Sequence, residues 1–232
     1  MSSLTTRRWS QGGTVFFAVS GVDPELCDAA ERLFMGYERD GAQWRCGYPA
    51  STRHLDQAWL NFATNIGLIL RQAARLEPVP WRAALRELCR RTSPQPVDWW
   101  LTGSAALAVR GAPIEPGDLD LVCSADDAVA LGEIFADALV EPVLPAAEDW
   151  ISDCWGRAFY AARIEWIGGP RPFVDADEPS DFGRAAASQL EPVAFEDWQI
   201  RVPPLWLQRA VNLRRGLHDR VALIDQLAAA PA

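Results

Sequence analysis

The chain has 232 residues, 49% hydrophobic and 23% charged, with 11 Trp and 9 Phe. That is enough apolar surface for one large or two small domains; it excludes a disordered chain, and no apolar run nears the roughly 18 residues of a membrane helix. The net charge of −9 is uneven: residues 1–95 hold 12 Arg and 9 carboxylates, net +3, and residues 96–232 hold 10 Arg and 22 carboxylates, net −12.

Residues 14–20 read as a buried strand. Residues 24–36 read as a helix, with Pro24 in its first turn and Asp23 at the N-cap position. A short strand is expected over 43–48. A long helix follows over 52–76, where Trp59, Phe62, Ile66, Ile69 and Leu70 recur at helical spacing. Glu77-Pro78-Val79-Pro80 breaks it, and 81–91 is a further helix. The polar stretch 90–96 holds Pro94 and Pro96 and reads as a linker, dividing an N-terminal domain (1–92) from a second domain (96–232). The second domain reads as strand 97–101, short helix 104–109, strand 119–123, helix 125–139, strand 158–167 and a Gly/Pro/Asp-rich loop over 168–182. Strand 199–202, a helix from Pro204 and a last helix over about 217–227 complete it. The expected class is α+β: a mixed sheet flanked by helices, preceded by a small, mostly helical or α/β domain.

Composition narrows the chemistry. All 22 basic residues are Arg, so neither a P-loop lysine nor a Schiff-base lysine exists. The acidic second part argues against nucleic acid as the main ligand and suits divalent cations and a cationic small substrate. Five Cys without a C-x-x-C pair, and two His (His54 and His218), argue against a disulfide scaffold or a zinc site and point to a reducing cytoplasm. Arg7-Arg8 precedes an apolar run too short for an export signal, and Asp23-Pro24-Glu25 stands where a cleavage site would be.

Two motifs carry chemistry. Leu101-Thr102-Gly103-Ser104 joins a strand to a helix, and free N–H groups at such a turn favour a phosphate. Gly117-Asp118-Leu119-Asp120-Leu121 places two carboxylates on one side of a strand, since the strand period is two. Side by side they repel unless a cation lies between them. No Arg is adjacent in sequence, so a divalent metal with hard oxygen ligands, such as Mg²⁺, is the natural partner; a strand end with both acids in water is the alternative. Arg110, after the first helix, is placed to bind a triphosphate or to lie at the surface.

Taken together, Thr102-Gly103-Ser104, a 13-residue gap and Asp118-Leu119-Asp120 resemble the signature of the nucleotidyltransferase superfamily, the polymerase-beta-like fold. The resemblance covers about 97–227. It is closest in style to the small bacterial enzymes that adenylylate antibiotics and to their minimal relatives. Arg214-Arg215-Gly216-Leu217-His218-Asp219-Arg220 resembles their helical ending. Residues 1–95 match no part of it.

The resemblance implies transfer of a nucleoside monophosphate from ATP or another NTP to a hydroxyl of a small acceptor, such as an aminoglycoside-like compound. It implies two Mg²⁺ ions held by Asp118 and Asp120, with Gly103 and Ser104 on the β/γ-phosphates. It also implies a third carboxylate on a later strand, a metal ligand or general base. Glu165 is best placed, with Asp153, Asp175 and Asp177 as competitors. The alternatives are a catalytically silent nucleotide- or partner-binding module and a toxin-type enzyme acting on tRNA. His218-Asp219 is half of a metal-phosphohydrolase motif without its other half. Trp99, Trp100, Trp150, Trp155 and Trp166 are candidates to stack a base or to fill a core.

Overall fold

The computed structural model describes residues 4–229. β1 (Thr5–Gln11) and β2 (Thr14–Ser20) form an antiparallel hairpin. Gly12 and Gly13 between them both take positive φ, 57° and 79°, which glycine alone adopts at no steric cost. β3 (Glu38–Asp40) and β4 (Gln43–Pro49) complete a four-stranded antiparallel sheet in the order β1-β2-β4-β3. Its buried side chains meet α2 (Leu55–Ala73): the Phe17 ring lies 4.7 Å from Tyr48, 5.2 Å from Trp59 and 5.8 Å from Phe62.

The second sheet has five strands: β5 (Trp99–Thr102), β6 (Leu119–Cys123), β7 (Leu139–Pro145), β8 (Ser152–Tyr160) and β9 (Ala162–Pro170). Their order is β5-β6-β9-β8-β7, with β6 and β9 parallel and the other neighbours antiparallel. α1 (Cys27–Leu33) packs on α2. α3 (Trp81–Thr92) and α5 (Ala125–Ile134) cover one face of this sheet, where Ile164 and Trp166 are buried. α4 (Gly103–Val109) follows β5. Beyond β9 come α6 (Arg184–Ala187), the ribbon β10 (Glu191–Phe195) and β11 (Trp198–Val202), then α7 (Leu205–Arg214) and α8 (His218–Ala229). α2 also packs on β7, where Asn61 Nδ2 donates to the Leu139 carbonyl at 2.8 Å. One apolar cluster runs from Phe17 and Leu70 through Leu88 to Leu121, Trp166 and Val202.

The architecture is α+β with mixed and antiparallel sheets, as expected. β1, β3 and β10 were not expected, and three expected elements take another form. The expected helix 24–36 is a 3-10 turn at Pro24–Leu26 followed by α1, and the Asp23 side chain caps nothing; its carbonyl takes the Leu26 N–H instead. The expected helix 125–139 ends at Ile134, and Leu139 opens β7. The expected single strand 158–167 is the tip of the β8–β9 hairpin, turned at Ala161 with φ 60°. That turn lacks Gly and Pro, so alternation passes through it unbroken.

Candidate active site

A row of polar side chains crosses the five-stranded sheet. The register pairs Thr102 with Asp120, Asp120 with Glu165, Glu165 with Arg157 and Arg157 with Glu141. Even-numbered β9 residues point into the core, so Arg163 and Glu165 share the opposite face. Asp118, just before β6, falls one step along the strand and pairs with the Arg163 guanidinium. Oxygens of Asp118, Asp120 and Glu165 lie within 4.8 Å of one another, the one such trio of His, Cys, Asp or Glu among the described residues.

The Gly-Ser turn meets this row directly. Gly103 has φ 64°, and a Cβ there would stand 2.3 Å from Oδ2 of Asp120, so any side chain would collide with the carboxylate. Gln208 of α7 donates to the Gly103 carbonyl at 3.4 Å and helps hold the turn. Thr102 Oγ1 donates to the buried Asp181 carboxylate at 2.9 Å. Ser104 is the second residue of α4 rather than its cap; it is buried, and its hydroxyl makes no hydrogen bond among the described residues.

Burial is the main force on the carboxylates. It pushes Asp120 well above the usual range, reinforced by Asp118 and Glu165. Asp118 is also pushed up by burial, with Arg163 pulling the other way. Burial would raise Glu165 too, but Arg157 and Arg163 together outweigh it and hold that carboxyl below its ordinary value. Arg157 Nε stands 2.8 Å from Glu165 Oε1, near enough for an ion pair yet misaligned for a hydrogen bond, so both atoms lack a hydrogen-bond partner. An all-oxygen set of three carboxylates fits a hard divalent cation.

The row opens on a cavity of about 790 Å³. Ser104, Arg215 and Arg220 line it near the Gly-Ser turn, and Arg32, Met35 and Trp155 line it as well. Burial lowers Arg220, with Arg215 acting in the same direction, while Asp120 and Asp118 oppose them.

Of the residues singled out in the sequence, Gly103, Ser104, Asp118, Asp120 and Glu165 come together here. Arg110 does not line the cavity: its guanidinium pairs with Glu191 at 2.5 Å and donates to the Pro203 carbonyl. Asp153 pairs with Arg171, Asp175 accepts from Ser180 and Ala185 within its own loop, and Asp177 is exposed. Trp100 and Trp166 are buried, and Trp99 bonds Thr92; Trp150 and Trp155 line the cavity. His218 is exposed, and His54 bonds Glu133 at 3.0 Å.

Arg157, Arg163 and Asp181 were not anticipated. Arg163 was within reach, because it precedes Glu165 by one strand period. The pairing of Arg157 and Thr102 with their partners depends on distant segments.

No family model and no curated protein matches the chain. A solved structure from Thermotoga maritima, described as a "putative nucleotidyltransferase", is 21% identical; the match covers 62% of this chain and 89% of that one, with a TM-score of 0.48.

Proposed function

We propose that the chain is a nucleotidyltransferase that moves a nucleoside monophosphate from an NTP to a hydroxyl of a small acceptor. The observation that carries this reading is the contact between the Gly-Ser turn and the acid row: Gly103 abuts Asp120, and Ser104 faces the same cavity as three converging carboxylates. Phosphate-binding geometry and cation-binding geometry thus meet at one point.

In this reading the Gly103–Ser104 turn and the first N–H groups of α4 hold the β/γ-phosphates, and Arg215 and Arg220 balance their charge. Asp118, Asp120 and Glu165 would hold two Mg²⁺ ions, whose chemistry there would be a lowered pKa of the acceptor hydroxyl and neutralisation of the departing pyrophosphate. The acceptor oxygen forms a bond to the α-phosphorus as its proton passes to water in the cavity, and the bond to the bridging oxygen breaks, its electron pair leaving with pyrophosphate. Glu165, kept ionised by Arg157 and Arg163, is better suited to hold a cation than to accept the hydroxyl proton. Residues 1–92, of which Arg32, Leu33 and Met35 line the cavity, shape the acceptor side, and unpaired cysteines accord with a cytoplasmic setting. No helix among the described residues is long and apolar enough to cross a membrane.

A second reading is favoured by Arg163. It already bridges Asp118 and Glu165, supplying a built-in counterion of the kind a nucleotide-binding module without turnover would use.

The test is incubation with each labelled NTP, Mg²⁺ and a panel of hydroxyl acceptors, measuring pyrophosphate. Release that disappears in Asp118→Asn supports the enzyme. Tight NTP binding with no release across the panel supports the module.

A further inference from the structure

We propose that the acceptor end of the cavity takes a hydroxyl compound with an apolar or aromatic body and an anionic group held by Arg32, and that it disfavours polycations; this rests on the nucleotidyltransferase reading above. Strand order separates the two ends. Gly103 and Ser104 lie beside β5 and β6, which makes that the nucleotide end. β9 with Glu165 comes next, and β8 beyond it brings Trp155 and Arg157. Attacking and leaving oxygens lie in line across the phosphorus, so the acceptor approaches from the side away from the pyrophosphate. That side is bounded by β8 and by Arg32, Leu33 and Met35 in and just after α1.

Charge at this end is one-sided. Its carboxylates are already paired, Glu141 with Arg157 and Glu165 with Arg157 and Arg163. Four arginines lining the cavity, Arg32, Arg75, Arg215 and Arg220, have no carboxylate partner among the described residues. Arg75, Arg215 and Arg220 interact electrostatically around the aspartates and belong to the nucleotide end. Arg32 stands apart on α1, exposed and with neither ion pair nor hydrogen bond. Met35, 71% exposed, and Trp150, 36% exposed, line the same cavity and offer cover to an apolar body.

The cationic acceptor expected from the acidic second part meets a different surface here. Part of that acidity lies away from the cavity, where Asp98, Asp137, Glu178, Glu191 and Asp225 each hold an arginine. A polycation entering the acceptor end would meet the unpaired Arg32, while the carboxylates nearest it, Glu141 and Glu165, are already held by Arg157 and Arg163.

The full-length chain is titrated with two probes that share a ring and a hydroxyl but differ in charge, 4-hydroxyphenylacetate and tyramine, with kanamycin as a polycation. Binding is followed by tryptophan fluorescence and calorimetry. The carboxylate is expected to bind about tenfold more tightly than tyramine, and kanamycin to compete with neither. Arg32→Glu should reverse the order and Arg32→Gln should abolish the difference, both with unchanged melting. The proposal is overturned if tyramine or kanamycin binds as tightly as the carboxylate, if neither probe binds, or if Arg32→Glu leaves the ratio unchanged. Binding of a nonhydrolysable ATP analogue with Mg²⁺, measured in the same samples, reports on the nucleotidyltransferase reading separately. Its failure with the probe ratio intact sinks that reading and leaves the anion preference standing.

Discussion

The four-stranded and five-stranded sheets share one apolar core but differ in what they bury. Phe17, Tyr48, Trp59 and Phe62 gather aromatic surface between the first sheet and α2. The second sheet is apolar only toward α3 and α5. Its other face carries Thr102, Asp120, Glu165, Arg157 and Glu141 in one row. The first arrangement stabilises by removing hydrocarbon from water. The second crowds half-buried like charges along the wall of a cavity, a local cost that a cationic ligand would relieve. Stability and chemistry are thus assigned to different sheets of one core.

The largest effects test that division on the stability side. Phe17→Ala should cost about 3–5 kcal/mol in denaturant unfolding, through a cavity in the aromatic cluster. Nucleotide affinity of the molecules that remain folded should not change. Arg157→Met should cost a similar amount, about 3–5 kcal/mol, for the opposite reason: it strands Glu141, only 2% exposed, without its partner. Adding Glu141→Leu should recover most of that loss. A recovery confined to Arg157→Met, with none when Glu141→Leu is added to Phe17→Ala, would confirm two distinct origins; equal behaviour of the two pairs would erase the contrast.

Asp120→Asn tests the same division from the side of chemistry. On the enzyme reading, pyrophosphate release should fall by about 10²–10³. The fold should hold or gain, because one of three neighbouring charges is gone. The pH dependence gives the sign. Asp118 and Asp120 have raised folded values, so their contribution is fully present below the ordinary aspartate value of 3.8 and is lost as pH rises through the folded values. Without added cation, wild type and Asp120→Asn should melt together below 3.8 and diverge toward neutral pH, the variant higher. The ion pairs of α3 behave the other way. Hydrogen bonds from Arg90 and Arg91 bring Glu87 from 4.5 down to about 2, so its contribution is full above 4.5 and disappears as pH falls toward about 2. Glu87→Gln should therefore melt with the wild type near pH 2 and below it above pH 4.5, and leave the difference that Asp120→Asn makes unchanged. Melting curves across this range check both signs.

What the sequence showed follows from how far apart the interacting residues lie. Gly103, Asp118 and Asp120 are close in the chain, and strand alternation alone puts both carboxylates on one side. Glu165 needed the parallel pairing of β6 and β9; the superfamily resemblance pointed to it only as a carboxylate on a later strand. The row of Arg157 and Glu141 depends on β7 and β8. β7 was hidden because no Gly or Pro separates it from α5, while its own Pro142 and Pro145 argue against a strand. β1 was hidden by its polar make-up, Thr-Thr-Arg-Arg-Trp-Ser-Gln, typical of an edge strand. The arginines of the cavity come from α1, the end of α2, β8, β9 and the α7–α8 region, so no local spacing connects them.

The smallest expected effect isolates the turn itself. Ser104 is buried at the start of α4 and borders the cavity, yet its hydroxyl bonds no described residue. Removing the hydroxyl therefore breaks no internal hydrogen bond, and Ser104→Ala should melt with the wild type. If that hydroxyl is reserved for a phosphate, the same variant should lose a charge-assisted hydrogen bond worth about 1–2 kcal/mol, roughly tenfold in NTP affinity. Gly103→Ala gives the matched control, since its Cβ would strike Asp120 and disturb the turn and the carboxylate together. Calorimetric titration with NTP and Mg²⁺ separates the two. A Ser104→Ala protein of wild-type affinity, beside a Gly103→Ala protein that no longer binds, would mean that the backbone of the turn, and not its side chain, receives the phosphates.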